Sequence, residues 1–232
     1  MSFLFQPEPI IAVPIQGSQQ LYPVRRIYCV GQNYSDHVRE MGGDPKQTPP
    51  VFFSKPANAI VINNQQVHYP PATKNLHYEV ELVVALGSGG LDLNQNDVQA
   101  CVFGYGVGID FTRRDLQLAA KQGGKPWDVA KGFDESAPLS ALIPAVGIDC
   151  SRGHIWLSVN GEIRQDADLS EMIWSVSDIV VHLSTLFALK AGDLIFTGTP
   201  AGVSAVSAGD QIKAGIAEVG EIEFELVAPR SC

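Results

Sequence analysis

Residues 75–87 read NLHYEVELVVALG and hold the pattern from which the fold can be worked out. Side chains alternate along a β-strand, so the segment predicts a strand over residues 76–86. The apolar side chains at positions 78, 80 and 82 would lie on one face, and Glu79 and Glu81 would project side by side from the other.

Two neighbouring carboxylates repel each other unless a cation lies between them. Mg²⁺ and Mn²⁺ prefer carboxylate oxygens, and Ca²⁺ also takes them. Asp110 follows a later glycine-rich segment and is the candidate third ligand. The pattern also fits a second interpretation, in which Glu79 and Glu81 form the solvated face of an edge strand.

The chain after this strand predicts further strands and one helix. Residues 101–110 end in GYGVGID, whose glycines fit a strand that another backbone approaches closely. Thr112 is the predicted N-cap of a helix that continues to about Lys121, and Gly123 with Gly124 would end it.

The C-terminal half carries the clearest turn and capping signals. Asn160-Gly161 fits a two-residue type I′ turn inside a hairpin at residues 155–164. A capping box at residues 175–178 precedes an amphipathic helix predicted to end near Lys190. Short strands are expected at residues 194–197 and as a pair within residues 210–227.

Many short strands with few helices predict a mixed, β-rich α+β fold, either a β-sandwich or a β-roll. Neither a GxGxxG segment nor a P-loop occurs, which disfavours a doubly wound nucleotide-binding fold. No linker divides the 232 residues. We therefore expect an N-terminal strand-and-turn extension at residues 1–25 and a single domain at residues 26–232.

The net charge of -9 and the pI near 4.9 argue against nucleic acid and anionic membrane surfaces as partners. An acidic protein that binds carboxylates needs a local positive centre, which a metal and a few basic side chains can supply. No apolar run reaches the roughly 18 residues of a membrane span. The scattered cysteines form neither a zinc motif nor a disulfide framework, which favours a cytoplasmic protein; they are Cys29, Cys101, Cys150 and Cys232.

A short helix is predicted from residues 33–36, ending at Gly42 and Gly43, and it places His37 and Glu40 on one face. By itself this pair is as typical of an exposed helix as of a catalytic site. Lys131 would ordinarily be a surface lysine, and Thr199 a turn residue.

Taken together and in order, these segments resemble the successive signature segments of the fumarylacetoacetate hydrolase family. They are CVGQNYSDHVREMG (29–42), FFSKP (52–56), NLHYEVELVVALG (75–87), GYGVGIDFTRRDLQ (104–117), KPWDVAKGFD (125–134), VNGEIRQ (159–165) and GDLIFTGTPAGV (192–203). The resemblance covers roughly residues 26–226 and implies that family's sandwich-roll fold with a few flanking helices.

The resemblance also implies roles for individual residues. The metal ligands fall on Glu79, Glu81 and Asp110. The catalytic pair of short family members falls on His37 and Glu40, and the active-site lysine on Lys131. Gln117 and Thr199 would contact substrate. The cofactor would be Mg²⁺ or Mn²⁺, with Ca²⁺ possible, and the protein would form a homodimer.

The implied reaction is the metal-dependent hydrolysis of a carbon–carbon bond in a small anionic acylpyruvate. Residues 40–56 are most similar to members that act on fumarylpyruvate, giving fumarate and pyruvate in aromatic-acid degradation. Two alternatives stay open. One is an oxaloacetate decarboxylase or keto–enol tautomerase that uses the same chelated substrate, and the other is a non-catalytic, metal-dependent binding protein.

Overall fold

A computed structural model of the chain describes residues 2–40, 50–62 and 66–230. The strands in the N-terminal half are β1 (Ala12–Pro14), β2 (Leu21–Pro23), β3 (Arg26–Gly31), β4 (Val51–Lys55), β5 (Ile60–Ile62), β6 (Val67–His68), β7 (Leu76–His77), β8 (Val80–Leu86) and β9 (Val102–Ile109). The later strands are β10 (Thr112–Arg113), β11 (Ala137–Leu139), β12 (Ile143–Pro144), β13 (His154–Val159), β14 (Glu162–Asp168), β15 (Asp193–Phe196), β16 (Ala205–Val206), β17 (Gln211–Ile216) and β18 (Gly220–Val227).

The helices lie between these strands. They are α1 (Ser35–Glu40), α2 (Gln95–Cys101), α3 (Arg114–Gln122), α4 (Asp128–Lys131) and α5 (Val176–Leu186), and two 3₁₀ turns cover Ala57–Ala59 and Leu169–Glu171. The described residues thus form a mixed, β-rich α+β protein. The predicted fold class is confirmed.

The largest sheet has eight strands and curls into a half-barrel. Its order is β4-β3-β15-β8-β9-β11-β5, with β12 also paired to β9. A second sheet has the order β14-β13-β17-β18-β6. One apolar cluster joins the two sheets and contains Leu82 and Ile155. A separate cluster contains Val83 and Phe196 from neighbouring strands of the large sheet.

Strand β8 lies in the middle of the large sheet, between β15 and β9, and each of its residues is buried. The interpretation of Glu79 and Glu81 as the solvated face of an edge strand is therefore wrong. The predicted strand over residues 76–86 is also interrupted at Tyr78 and Glu79. The reason is a change of partners, because β7 pairs with β10 and β16 while β8 pairs with β9 and β15.

Two predicted helix boundaries differ from the structure. Thr112 is not a helix N-cap, because it lies in β10 and pairs there with His77 of β7. Helix α3 begins at Arg114. Helix α5 ends at Leu186 rather than near Lys190. Phe187 has extended backbone there, and its N–H donates to the carbonyl of Leu183.

Several local predictions are confirmed. Strands β13 and β14 form the expected hairpin, and Asn160 and Gly161 both have the positive φ that a type I′ turn requires. The capping box of Ser175 and Asp178 is present at the start of α5. A side chain at Gly104 would clash with the backbone of Ile143, whose carbonyl oxygen would lie 2.2 Å from the added Cβ.

The N-terminal segment forms an antiparallel pair, β1 with β2, that packs against one face of the large sheet. Val13, Tyr22 and Val24 are buried in the same cluster as Phe196. Within the described ranges, no helix is long and apolar enough to cross a membrane.

Candidate active site

Three carboxylates meet where β8 and β9 run side by side. The pairing sets Glu81 opposite Gly108, and the N–H of Asp110 donates to the carbonyl of Glu79 over 2.8 Å. One oxygen from each of Glu79, Glu81 and Asp110 lies within 4.8 Å of the other two. All three residues are buried, at 5%, 1% and 0% relative exposure. The convergence expected from the sequence is therefore present in the fold.

Basic side chains surround two of these carboxylates. The ammonium of Lys131 donates to Glu79 over 2.7 Å and to Asp110 over 2.6 Å. The Lys55 ammonium lies 2.8 Å from the other oxygen of Asp110, and Arg114 donates to Glu79. Lys131 therefore links Glu79, just before β8, to Asp110, just after β9.

The environments of Glu79 and Glu81 shift their pKa values in opposite directions. Burial raises the pKa of Glu79, but the positive charges of Lys131 and Arg114 outweigh it and hold the pKa well below its usual range. Burial also raises the pKa of Glu81, and the negative charges of Asp110 and Glu79 raise it further. Negative charge is thus in excess at Glu81.

A divalent cation would compensate the carboxylate of Glu81. Within the described ranges, no lysine or arginine forms an ion pair with Glu81, whose one oxygen accepts from the N–H of Gly198 over 2.8 Å. The three donors are all carboxylate oxygens, the ligand type that Mg²⁺ and Mn²⁺ prefer. The residues present can therefore hold a divalent metal.

The carboxylates open into a cleft that encloses about 370 Å³, counting the part open to solvent. The side chains that line it include His37, Glu79, Glu81, Arg114, Gln117, Lys121, Trp127, Lys131 and Thr199. Acidic, basic and amide groups thus face one small volume.

The fold brings the sequence-predicted residues to this place from distant elements. His37 from α1 and Lys131 from α4 are buried and line the cleft, as do Gln117 from α3 and Thr199 after β15. Asp110 is fully buried and is not among the residues that line the cleft. Glu40 ends α1, but its side chain lies outside the described part of the structure.

Two further basic residues, Lys55 and Arg114, belong to the site but were not predicted from the sequence. Lys55 has a fully buried side chain, and its ammonium also donates to the carbonyls of Phe111 and Lys131. Arg114 joins Glu79 to Gln117, since it donates to both side chains. Lys55 lies in the family segment FFSKP, and Arg114 lies in GYGVGIDFTRRDLQ. A charged residue inside a family segment was the one sequence feature that could have pointed to them.

Gln165 was also not predicted as a site residue, and it supports the site through hydrogen bonds to neighbouring elements. It is fully buried in β14, and its amide group accepts from the N–H of Val80 over 3.0 Å. The same amide donates to the Thr199 hydroxyl and to the Pro200 carbonyl, each over 2.8 Å. Gln165 therefore holds the turn with Thr199 against the start of β8.

Asn33 makes a similar connection before α1. Its amide donates to the carbonyls of Thr197 and Trp174 and accepts from the N–H of Trp174. This fixes the chain just before His37 to the end of β15. A polar residue buried this completely is explained by these hydrogen bonds.

Comparison with known proteins agrees with this architecture. The family model described as fumarylacetoacetate (FAA) hydrolase C-terminal matches residues 26–227. The chain belongs to the fumarylacetoacetate hydrolase family. The resemblance inferred from the signature segments is thus confirmed.

Curated members of the family with similar sequences have two different activities. A fumarylpyruvate hydrolase of Ralstonia sp is 42% identical over 173 residues, covering 75% of this chain and 90% of the relative. An oxaloacetate tautomerase of Escherichia coli (strain K12) is 40% identical over 199 residues, covering 85% and 90%. Both relatives are enzymes, but they catalyse different reactions.

Among solved structures, the fumarylpyruvate hydrolase from Pseudomonas aeruginosa in complex with Mn²⁺ and pyruvate is 47% identical. Its TM-score is 0.95, and the match covers 98% of this chain and 100% of that chain. That family member holds a divalent metal, as the carboxylate group described above can do.

Proposed function

We propose that this enzyme hydrolyses a carbon–carbon bond in an acylpyruvate, with fumarylpyruvate as the substrate and fumarate and pyruvate as products. The observation that carries the proposal is the convergence of Glu79, Glu81 and Asp110 within 4.8 Å, at the base of a small cleft that is rich in basic and amide groups. The similarity to fumarylpyruvate hydrolases from two bacteria supports it.

In this proposal Glu79, Glu81 and Asp110 hold Mg²⁺ or Mn²⁺. When bound, such a cation supplies open positions for the carboxylate and keto oxygens of the substrate and offsets negative charge on the pyruvate half. The protein's part is to keep these three ligands in place. Lys131, Lys55 and Arg114 do so through their ion pairs.

His37 is the proposed general base. Its ring is buried at 6% relative exposure, and it lines the same cleft as Glu79 and Glu81. His37 would take a proton from water as the water oxygen adds to the carbonyl distal to pyruvate. The carbon–carbon bond then breaks, its electron pair leaves with the pyruvate half, and a proton returns to that carbon. Glu40 on the next turn would orient the imidazole.

Lys131, Gln117 and Thr199 are the proposed donors to the substrate. The carbonyl oxygen of Gln117 accepts from Arg114 over 2.6 Å, which leaves its amide nitrogen to donate. Thr199 accepts from Gln165, which leaves its hydroxyl hydrogen to donate. Fixed donors of this kind stabilise charge that develops in the transition state.

Oxaloacetate tautomerisation is the second candidate, because the similarity to tautomerases is as high as that to the Ralstonia hydrolase. That reaction moves a proton and consumes no water, and decarboxylation of oxaloacetate also needs no water. A buried histidine that lines the cleft can serve as the base in either reaction, so the choice between them depends on the substrate panel below. A non-catalytic binding protein is disfavoured, because both kinds of curated relative are enzymes.

A substrate panel tests the proposal. The Mn²⁺-loaded protein is assayed with fumarylpyruvate, acetylpyruvate and oxaloacetate, and fumarylpyruvate should give the highest kcat/KM, with fumarate and pyruvate formed in equal amounts. His37→Ala should lower kcat by about 10²–10⁴-fold, the usual contribution of a general base. Turnover of oxaloacetate alone, or an unchanged kcat in the His37 variant, would contradict the proposal.

A further inference from the structure

One face of α3 forms a wall of the cleft. Arg114, Gln117 and Lys121 all line the cleft, and their spacing of three and then four residues places them on one side of the helix. With a rise of about 1.5 Å per residue, Lys121 lies about 10 Å along the helix axis from Arg114. Arg114 contacts the metal-site carboxylate Glu79, whereas Lys121 is exposed and therefore lies towards the solvent side of this wall.

Lys121 differs from the inner basic residues in its partners. Lys55, Lys131 and Arg114 each form an ion pair with a metal-site carboxylate. The Lys121 ammonium instead lies 5.0 Å from the ring centroid of Trp127, and within the described ranges no carboxylate forms an ion pair with it. Its positive charge is therefore available to a ligand.

The electrostatic surroundings of Lys121 agree with this difference. Partial burial lowers its pKa, the positive charge of Arg114 lowers it further, and the negative charge of Glu79 acts in the opposite direction. A carboxylate that enters the cleft would relieve that repulsion. A lysine in the last turn of a helix often serves only to interact with the helix C-terminus. Lys121 here instead has its ammonium over Trp127, and both residues line the cleft.

The two proposed substrates differ in length. Both are dianions, but the carboxylates of fumarylpyruvate stand at the ends of a seven-carbon chain and those of oxaloacetate at the ends of a four-carbon chain. A ligand whose pyruvate end lies at Glu79, Glu81 and Asp110 can extend along α3 only if its acyl arm is long.

We propose that Lys121, held over Trp127, binds the distal carboxylate of the acyl arm and thereby selects dicarboxylic acylpyruvates over monocarboxylic ones. This inference rests on the proposed function, because it names the acyl group of that same substrate. Lys121 is thus a specificity-determining residue that neither exchanges protons nor holds metal.

Steady-state kinetics of Lys121→Gln test the inference, with fumarylpyruvate and acetylpyruvate as substrates. Acetylpyruvate keeps the pyruvate half and lacks the second carboxylate. The variant should lower kcat/KM for fumarylpyruvate about tenfold, mainly through KM, as expected for loss of one charged hydrogen bond. The value for acetylpyruvate should change by less than about twofold. Lys125→Gln is the matched control, because Lys125 is exposed just beyond the same helix and does not line the cleft.

Two kinetic outcomes would overturn the inference. One is a loss for fumarylpyruvate no larger in Lys121→Gln than in Lys125→Gln. The other is an equal loss for both substrates, which would mean that Lys121 only supports the shape of the cleft.

A binding measurement separates this inference from the proposed function. Fumarate and crotonate, in which a methyl group replaces one carboxylate, are titrated calorimetrically into the Mn²⁺-loaded protein. Lys121→Gln should raise the dissociation constant of fumarate about tenfold and leave that of crotonate unchanged. If the wild type fails to hydrolyse fumarylpyruvate but this difference is found, the proposed reaction is wrong and the role of Lys121 stands. If fumarate and crotonate bind equally well to both proteins, the role of Lys121 is wrong.

Discussion

Single side chains at this site are explained by the charges and hydrogen bonds around them. Glu79 is balanced by Lys131 and Arg114, whereas Glu81 has one backbone hydrogen bond and no such ion pair within the described ranges. Glu81 is the carboxylate with most to gain from a metal ion, because its burial is least compensated. Its substitution therefore gives the sharpest test at this scale.

Glu81→Gln should weaken Mn²⁺ binding by more than about 100-fold, because it keeps the shape of the side chain and removes one anionic ligand. Mn²⁺ affinity can be measured by electron paramagnetic resonance. Glu225→Gln, a half-buried position on β18, should bind Mn²⁺ like the wild type. Equal affinity in the two variants would show that Glu81 is not a ligand.

Gln165→Met should lower the free energy of unfolding by about 2–4 kcal/mol. The variant fills the same space but leaves the Val80 N–H and the Pro200 carbonyl without their partner in a buried region. Urea denaturation measures the loss, and Gln211→Met at an exposed position is the control. A change below about 0.5 kcal/mol would mean that Gln165 does not hold these elements together.

At the scale of the elements, the site depends on the close contact of β9 with its neighbours. A Cβ at Gly108 would lie 2.5 Å from the Phe196 ring and 2.6 Å from Val83. Gly108→Ala should therefore destabilise the protein by about 1–3 kcal/mol through overpacking, as measured by urea denaturation. Gly31→Ala is the control, since its Cβ would meet nothing closer than 3.7 Å. Equal stability of the two variants would contradict the tight packing described here.

The N-cap of α5 gives an independent local test. The Ser175 hydroxyl accepts from the N–H of Asp178, so Ser175→Ala should cost about 1 kcal/mol in a thermal or urea melt. Ser177→Ala lies inside the same helix and should be neutral or slightly stabilising, because alanine is the better helix former. A larger loss at Ser177 than at Ser175 would contradict the capping arrangement.

The sequence predicted turns and helix starts correctly where a few adjacent residues determine them. The Asn160-Gly161 turn and the Ser175 capping box are set by a few adjacent residues, and both are confirmed. The break before β8 was missed because it depends on which strands pair with β7, and pairing partners are distant in sequence. The end of α5 was misplaced for a similar reason, since Leu189 still packs in the core after the helix has ended.

The acidic residues of the site were predicted from the sequence, but the residues that support them were not. Glu79 and Glu81 were predicted to lie together from their alternation, Asp110 was predicted to join them from its place after the glycine-rich segment, and the structure brings all three together. Lys55 and Arg114 were missed, since only the folded chain shows that Lys55 reaches Asp110 and Arg114 reaches Glu79. Gln165 had no sequence signal beyond its place in a family segment, because a glutamine in a strand is normally solvated.

For the molecule as a whole, the chain is a member of an enzyme family with a curled β-sheet and a buried acidic group able to hold a metal. Formation of a homodimer and the absence of nucleic-acid partners stay predictions from the sequence. We propose that Glu79, Glu81 and Asp110 act together around one divalent cation during acylpyruvate cleavage.

The most direct test is fumarylpyruvate hydrolysis by one preparation before chelation, after complete removal of metal, and after Mn²⁺ is returned. Turnover should disappear on removal and return with Mn²⁺, while the circular dichroism spectrum shows that the fold is kept throughout. Hydrolysis that continues at its original rate in the metal-free protein would contradict the account.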